Sequence, residues 1–144
     1  MEPGGGKEQK WFSKYIGCEV IGTEISDTAK SFANTIQWDF HEVKKEWLGN
    51  VDFIYSNSLD HSYNPEKCLN AWMSCLKKDG ACIIEFSSSN EKAIEMDPFA
   101  THISYLPYLI LNWGKGKFNV KEILDTPIRK EGLEYNCFLI VQKR

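Results

Sequence analysis

Apolar and polar positions change rhythm several times along the chain, and the clearest change runs from Val51 to Phe86. Phe53-Ile54-Tyr55 is a short apolar run of strand type, closed by the turn formers Ser56-Asn57-Ser58. Asn64 then offers a helix cap, with Pro65 at the first helical position. Glu66 comes next in the first turn, where unpaired N–H groups favour an anion. Leu69, Trp72, Met73 and Leu76 recur at helical spacing and make one apolar face. Lys77-Lys78 stand where a helix end favours cations, and Asp79-Gly80 turns the chain into the apolar Ala81-Cys82-Ile83-Ile84. Strand, helix and buried strand in that order predict a right-handed crossover in a parallel sheet.

The same reading extends in both directions. Trp11, Phe12, Tyr15 and Ile16 form the apolar stripe of a first helix, which Gly17 stops; Cys18 to Ile25 continues as a strand with Glu24 near its end. Ser26-Asp27 caps a short helix carrying Ala29, Phe32 and Ala33. Thr35 to Phe40 is a further strand, with Asp39 between two aromatic residues and His41 facing solvent beyond it. Val43 to Asn50 is a short amphipathic segment around Trp47 and Leu48. After Phe86 comes a polar loop, Ser87-Ser88-Ser89-Asn90, then an irregular acidic stretch that includes Asp97-Pro98-Phe99. Ile103, Leu106, Leu109, Ile110 and Trp113 make a helical face limited or kinked by Pro107 and broken at Gly114-Lys115-Gly116. Phe118 to Leu124 and Tyr135 to Val141 close the chain as an antiparallel pair, so the sheet is expected to be mixed.

D-F-I-Y-S-N, then L-D-H, a proline, a helix, L-K-K-D-G and an apolar strand together resemble the second half of class I S-adenosylmethionine-dependent methyltransferases. The similarity is to the broad group acting on small molecules. Asp60 stands where that group usually has Glu, and Lys78-Asp79 interrupt its usual Pro-Gly. The closing strand pair supports the same resemblance independently. It implies an α/β, three-layer Rossmann-like sandwich with a mostly parallel sheet and a C-terminal antiparallel hairpin, spanning 1–144 as one domain. It also implies S-adenosylmethionine as cofactor. Gly4, Gly5 and Gly6 match the end of the family's glycine loop, and Glu2 falls where its first glycine is expected. The family's first strand has no counterpart, since only Met1 precedes that loop. A gap in the sheet is therefore expected, with an exposed edge through which the chain could form a homo-oligomer.

By the same resemblance, Glu24 accepts both ribose hydroxyls and Asp39 accepts the adenine amino group. Phe40 or Trp38 packs on the ring, and Ser56 and Asn57 line the methionine end. The chemistry agrees with these roles. Small residues let backbone approach a ligand, a strand-end carboxylate suits a diol, and an aromatic face suits adenine. Each residue also has a plainer reading. Three glycines near a terminus can be a simple tail, Glu24 an exposed strand end, and Asp39 a cap for the segment after it.

A net charge of −3 with no basic run argues against a nucleic-acid surface. No apolar segment approaches membrane-spanning length and no signal peptide is evident, so a soluble, cytoplasmic protein is expected. Cys18, Cys68, Cys75, Cys82 and Cys137 form no C-x-x-C pair and read as small buried hydrophobes in a reducing compartment, not as disulfides or a metal site. No metal is expected.

Methyl transfer from a sulfonium mainly requires alignment of the acceptor and exclusion of water. A hydroxyl or amine acceptor can also need a base. His61, on the loop after the strand that ends at Tyr55, is the leading candidate, with Asp60 to orient it and His102 as a second. The plainer reading of His61 is packing under the following helix. Two other functions fit parts of the pattern: a methyltransferase-like binding protein without cofactor affinity, and a dinucleotide-dependent oxidoreductase. The absence of G-x-G-x-x-G counts against the oxidoreductase.

Overall fold

The computed structural model describes residues 7–126 and 131–144. Gly4, Gly5 and Gly6, with the glycine-loop role assigned to them, lie outside the described residues. The chain divides into two compact units, Met1–Glu42 and Val43–Arg144.

In the first unit, α1 (Lys7–Ile16) ends where Gly17 takes a left-handed φ of 72°, a conformation without penalty for glycine. The helix buries none of its residues, and Trp11, Tyr15 and Ile16 of its apolar stripe are exposed. Strands β1 (Gly22–Glu24) and β2 (Thr35–Gln37) pair in parallel, Gly22 opposite Thr35 and Glu24 opposite Gln37. Both are shorter than the apolar pattern suggested. A ladder forms only where two strands overlap, so Cys18 to Ile21 and Trp38 to Phe40 stay outside it. A 3-10 turn, Asp27–Ser31, connects the strands and buries Ala29.

The second unit carries the expected crossover. Strand β3 (Val51–Ser56) leads to α2 (Pro65–Cys75) and back to β4 (Leu76–Ser87), parallel to β3. Asn64 caps α2, its side chain accepting the Lys67 N–H at 3.0 Å, with Pro65 in the first turn. Leu69, Trp72, Met73 and Leu76 are all buried, as their spacing indicates. Each such side chain contributes about 1.5–3 kcal/mol of burial. Lys77 to Gly80 form an irregular insertion at the start of β4. Val51 stands opposite Leu76, yet Phe53 stands opposite Ala81. A Cβ on Gly80 would lie 2.9 Å from the Asp52 carbonyl oxygen, so only glycine fits there without a shift.

Helix α3 (Leu106–Gly114) has Pro107 as its second residue, in the first turn where a missing N–H costs nothing, so the proline marks the helix start and does not kink it. The Asn70 side-chain amide joins α2 to α3 by donating to the Trp113 carbonyl at 3.1 Å. Strands β5 (Phe118–Asp125) and β6 (Asn136–Lys143) are antiparallel, and β6 also pairs antiparallel with β4, giving the order β3-β4-β6-β5. Cys82, Ile84 and Phe86 of β4 and Leu139 and Val141 of β6 supply the buried face of this mixed sheet. Among the described residues the two sheets share no ladder. No helix among the described residues is long and apolar enough to cross a membrane.

Candidate functional site

Strands β3 and β4 are parallel neighbours, so the loops leaving their carboxyl ends meet. After β3, Leu59–His61 forms a single 3-10 turn in which Leu59 and Asp60 are buried while His61 is exposed. Leu59 anchors the turn in the core, with Asp60 buried beside it and His61 at the surface. After β4, Ser88–Glu91 forms a second 3-10 turn. Its capping box uses the Asn90 side chain, which accepts the Ser87 N–H at 2.8 Å. The other end of that amide donates to Asp60 Oδ2 at 2.7 Å. The Asp60 carbonyl accepts the Phe99 N–H at 3.1 Å, which brings the 91–99 stretch back over the turn.

Three polar side chains converge there. His61 Nε2 lies 3.0 Å from Asp97 Oδ1 and 3.9 Å from Asp60 Oδ1. The first distance is a hydrogen bond and the second is too long for one. Asp60 Oδ1 is accordingly buried without a hydrogen-bond partner. Burial raises the Asp60 pKa above its ordinary value, against the opposing pull of His61 and the Asn90 hydrogen bond. A neutral imidazole that gives its Nε2–H to Asp97 carries its lone pair on Nδ1.

His102 is arranged differently. Its Nδ1 accepts the Ser104 N–H at 3.1 Å and contacts the Ser104 hydroxyl, and its Nε2 lies 3.3 Å from Glu91 Oε1. The Tyr135 hydroxyl donates to the same Glu91 oxygen at 2.7 Å; burial and that bond raise the tyrosine pKa. Both ring nitrogens of His102 are therefore engaged, and His61 is the better placed proton acceptor of the two. Ser56 is the last residue of β3 and Asn57 follows it. Ser56 Oγ accepts the Ser58 N–H at 3.1 Å, and Asn57 Oδ1 accepts from the Ser58 hydroxyl at 2.9 Å.

In the first unit, Glu24 stands at the carboxyl end of β1, partly exposed. Its Oε1 accepts the Ser26 N–H at 3.0 Å, and Oε2 has no partner among the described residues. A carboxylate with one oxygen anchored and one open fits a ribose diol. Asp39 is more committed. Its Oδ1 accepts the His41 N–H at 2.9 Å and lies 2.7 Å from His41 Nδ1. His41, expected to face solvent, is instead buried, because its ring pairs with that carboxylate and meets the Phe40 ring edge-on at 4.7 Å. The structure thus shows the capping role for Asp39 Oδ1 and occupies one edge of Phe40. The residues present fit the expected cofactor at Glu24.

Among the described residues all five cysteines are free, four of them buried. Asp97, Asn90, Glu91 and Tyr135 escaped the sequence reading as site residues. Asp97-Pro98 before an apolar helix is only a turn signal, and nothing local pairs it with His61.

A family model described as a methyltransferase domain matches residues 2–84, more than half of the chain. No curated protein matches. Among solved structures, the chain is similar to the 1,6-didemethyltoxoflavin-N1-methyltransferase of Burkholderia thailandensis, solved with 1,6-didemethyltoxoflavin and S-adenosylhomocysteine bound. The identity is 16%, the TM-score 0.73, and the match covers 97% of this chain and 67% of that one. A TehB-like S-adenosylmethionine-dependent methyltransferase from Corynebacterium glutamicum matches at 14% identity and a TM-score of 0.66, over 97% of this chain and 76% of its own. LepI in complex with S-adenosylmethionine matches at 8% identity and a TM-score of 0.69, over 98% of this chain but only 41% of its own. At these identities the likeness is one of fold.

Proposed function

The chain belongs to the methyltransferase-domain family, with a class I fold and S-adenosylmethionine as cofactor, and from that premise we propose that it methylates an oxygen or nitrogen nucleophile of a small molecule. The observation that carries the acceptor half of this reading is the convergence of Asp60, His61 and Asp97 at the carboxyl ends of parallel strands, where ligands sit in open α/β sheets.

When bound, the cofactor supplies an already activated methyl group. The chain's own residues then bind, orient and deprotonate. Glu24 Oε2 is the acceptor for the ribose hydroxyls, while the Ser26 N–H fixes the carboxylate through Oε1. Asp97 holds the imidazole by Nε2 and directs its lone pair to Nδ1, which can take the proton of a hydroxyl or amine as that atom is methylated. Asp60, fixed by Asn90, flanks the same ring nitrogen at 3.9 Å. Ser56 and Asn57, at the end of β3, are assigned to the methionine end. A small-molecule acceptor agrees with the ligand named for the Burkholderia enzyme.

The test is calorimetric titration of the chain with S-adenosylhomocysteine, paired with transfer of labelled methyl from S-adenosylmethionine to a panel of phenols and amines. Micromolar binding and a labelled product support the reading. A folded sample that binds no S-adenosylhomocysteine overturns it.

A further inference from the structure

We propose that Asp60, His61 and Asp97 form a binding site for a first-row divalent metal ion. Their candidate ligand atoms all lie within 4.8 Å of one another, with His61 Nε2 at 3.0 Å from Asp97 Oδ1 and 3.9 Å from Asp60 Oδ1. An ion that binds nitrogen and oxygen at about 2.0–2.2 Å holds adjacent ligand atoms about 3–3.6 Å apart, so the three donors need only small side-chain adjustments to share one.

Asp60 supplies a second, separate reason. Its residue exposure is 6%, and its Oδ1, on the His61 side of the carboxylate, is buried with no hydrogen-bond partner. A protonated His61 does not satisfy that oxygen. The ring offers one N–H from Nε2, and at 3.0 Å it belongs to Asp97, which leaves Asp60 Oδ1 unanswered. A cation between the three atoms answers both carboxylates at once, and two carboxylates with a neutral imidazole balance its charge.

The surroundings suit a metal site. Asn90 donates to the other oxygen of Asp60 at 2.7 Å, the kind of outer hydrogen bond that fixes a ligating carboxylate. The side chains of His61 and Asp97 are 40% and 29% exposed, so an ion can enter from solvent. One imidazole and two carboxylates, without sulfur, suit manganese, iron, cobalt or zinc better than magnesium, and three protein ligands leave positions open for water or substrate. The role of such an ion in catalysis rests on the methyl-transfer reading. Bound at Nε2, it would replace proton uptake at Nδ1 by direct ligation of the acceptor, lowering the acceptor's pKa so that its proton passes to water. Binding itself does not depend on that reading.

Cobalt(II) is the probe, followed by visible absorption and titrated into the reduced, full chain. The expected result is one equivalent bound with weak d–d bands and no thiolate charge-transfer band. His61→Ala and Asp97→Ala, both at exposed or half-exposed side chains, each weaken binding by at least about tenfold. Asp52→Ala, at the opposite end of β3, leaves it unchanged, and circular dichroism confirms that all three variants fold. Absence of binding by folded wild type, binding through thiolates, or indifference to both ligand substitutions overturns the site. S-adenosylhomocysteine binding without cobalt binding sinks the metal inference alone, whereas cobalt binding without S-adenosylhomocysteine binding supports the metal site and sinks the methyltransferase reading alone.

Discussion

Asn90 donates to Asp60 across 2.7 Å, and the bond ties the turn after β3 to the turn after β4. The oxygen of the same amide accepts the Ser87 N–H, so one side chain both caps its own turn and holds a buried carboxylate on the neighbouring loop. Asn90→Ala should destabilise the chain by about 1–3 kcal/mol, since it removes the side-chain hydrogen bond to the Asp60 carboxylate and leaves that group buried. Urea unfolding followed by circular dichroism measures this. A change below a few tenths would mean that solvent replaces the amide at no cost.

Glu24→Gln and Glu24→Ala should weaken S-adenosylhomocysteine binding by about 10- to 100-fold, the worth of hydrogen bonds to a charged acceptor. Both should leave unfolding close to wild type, because the residue is partly exposed and its side chain bonds only the Ser26 N–H among the described residues. Equal affinity in wild type and both variants would remove Glu24 from the site.

Gly80→Ala should cost about 1–3 kcal/mol through overpacking, since the new Cβ meets the Asp52 carbonyl at 2.9 Å and the Lys77 carbonyl at 3.1 Å, both backbone atoms. Lys77→Ala, which breaks an exposed ion pair with Asp52 in the same insertion, should cost less than about 1 kcal/mol. Thermal unfolding of the two variants side by side checks the contrast.

Thiol labelling should separate the cysteines cleanly. Cys18 is half-exposed and should react with an aromatic disulfide reagent in the folded chain, while Cys68, Cys75, Cys82 and Cys137 should react only on unfolding. Burial also pushes the Cys75, Cys82 and Cys137 thiols above their ordinary pKa, which lowers the thiolate fraction at any working pH. Fast labelling of more than one thiol in the native protein would contradict the burial.

The parts of the fold that could be read from the sequence were local or periodic. Asn64-Pro65 announced α2 because a cap and a first-turn proline act within three residues, and Leu69, Trp72 and Met73 announced its buried face because burial repeats with the helix. The lengths of β1 and β2 were not legible, since strand ends are set by the partner strand and not by the strand's own residues. His41 looked solvent-facing because its acceptor, Asp39, lies two residues away in a turn whose shape no spacing rule encodes. Within the candidate site, Asp60 and His61 could be singled out from the L-D-H tripeptide. Asp97 and Asn90 could not, because each reaches that tripeptide through tertiary contacts made by the long loop after β4.

The position of β6 bears on how the chain is made. It lies between β4 and β5, so β5, although synthesised earlier, has no neighbour on this sheet until β6 arrives. The β3-α2-β4 crossover can assemble while the rest is still in the ribosome, but its open flank and an unsupported β5 must wait for residues 136–143. Residues 136–143 form the keystone of this sheet, and a polypeptide stalled before them would show sticky strand edges to chaperones or to its neighbours.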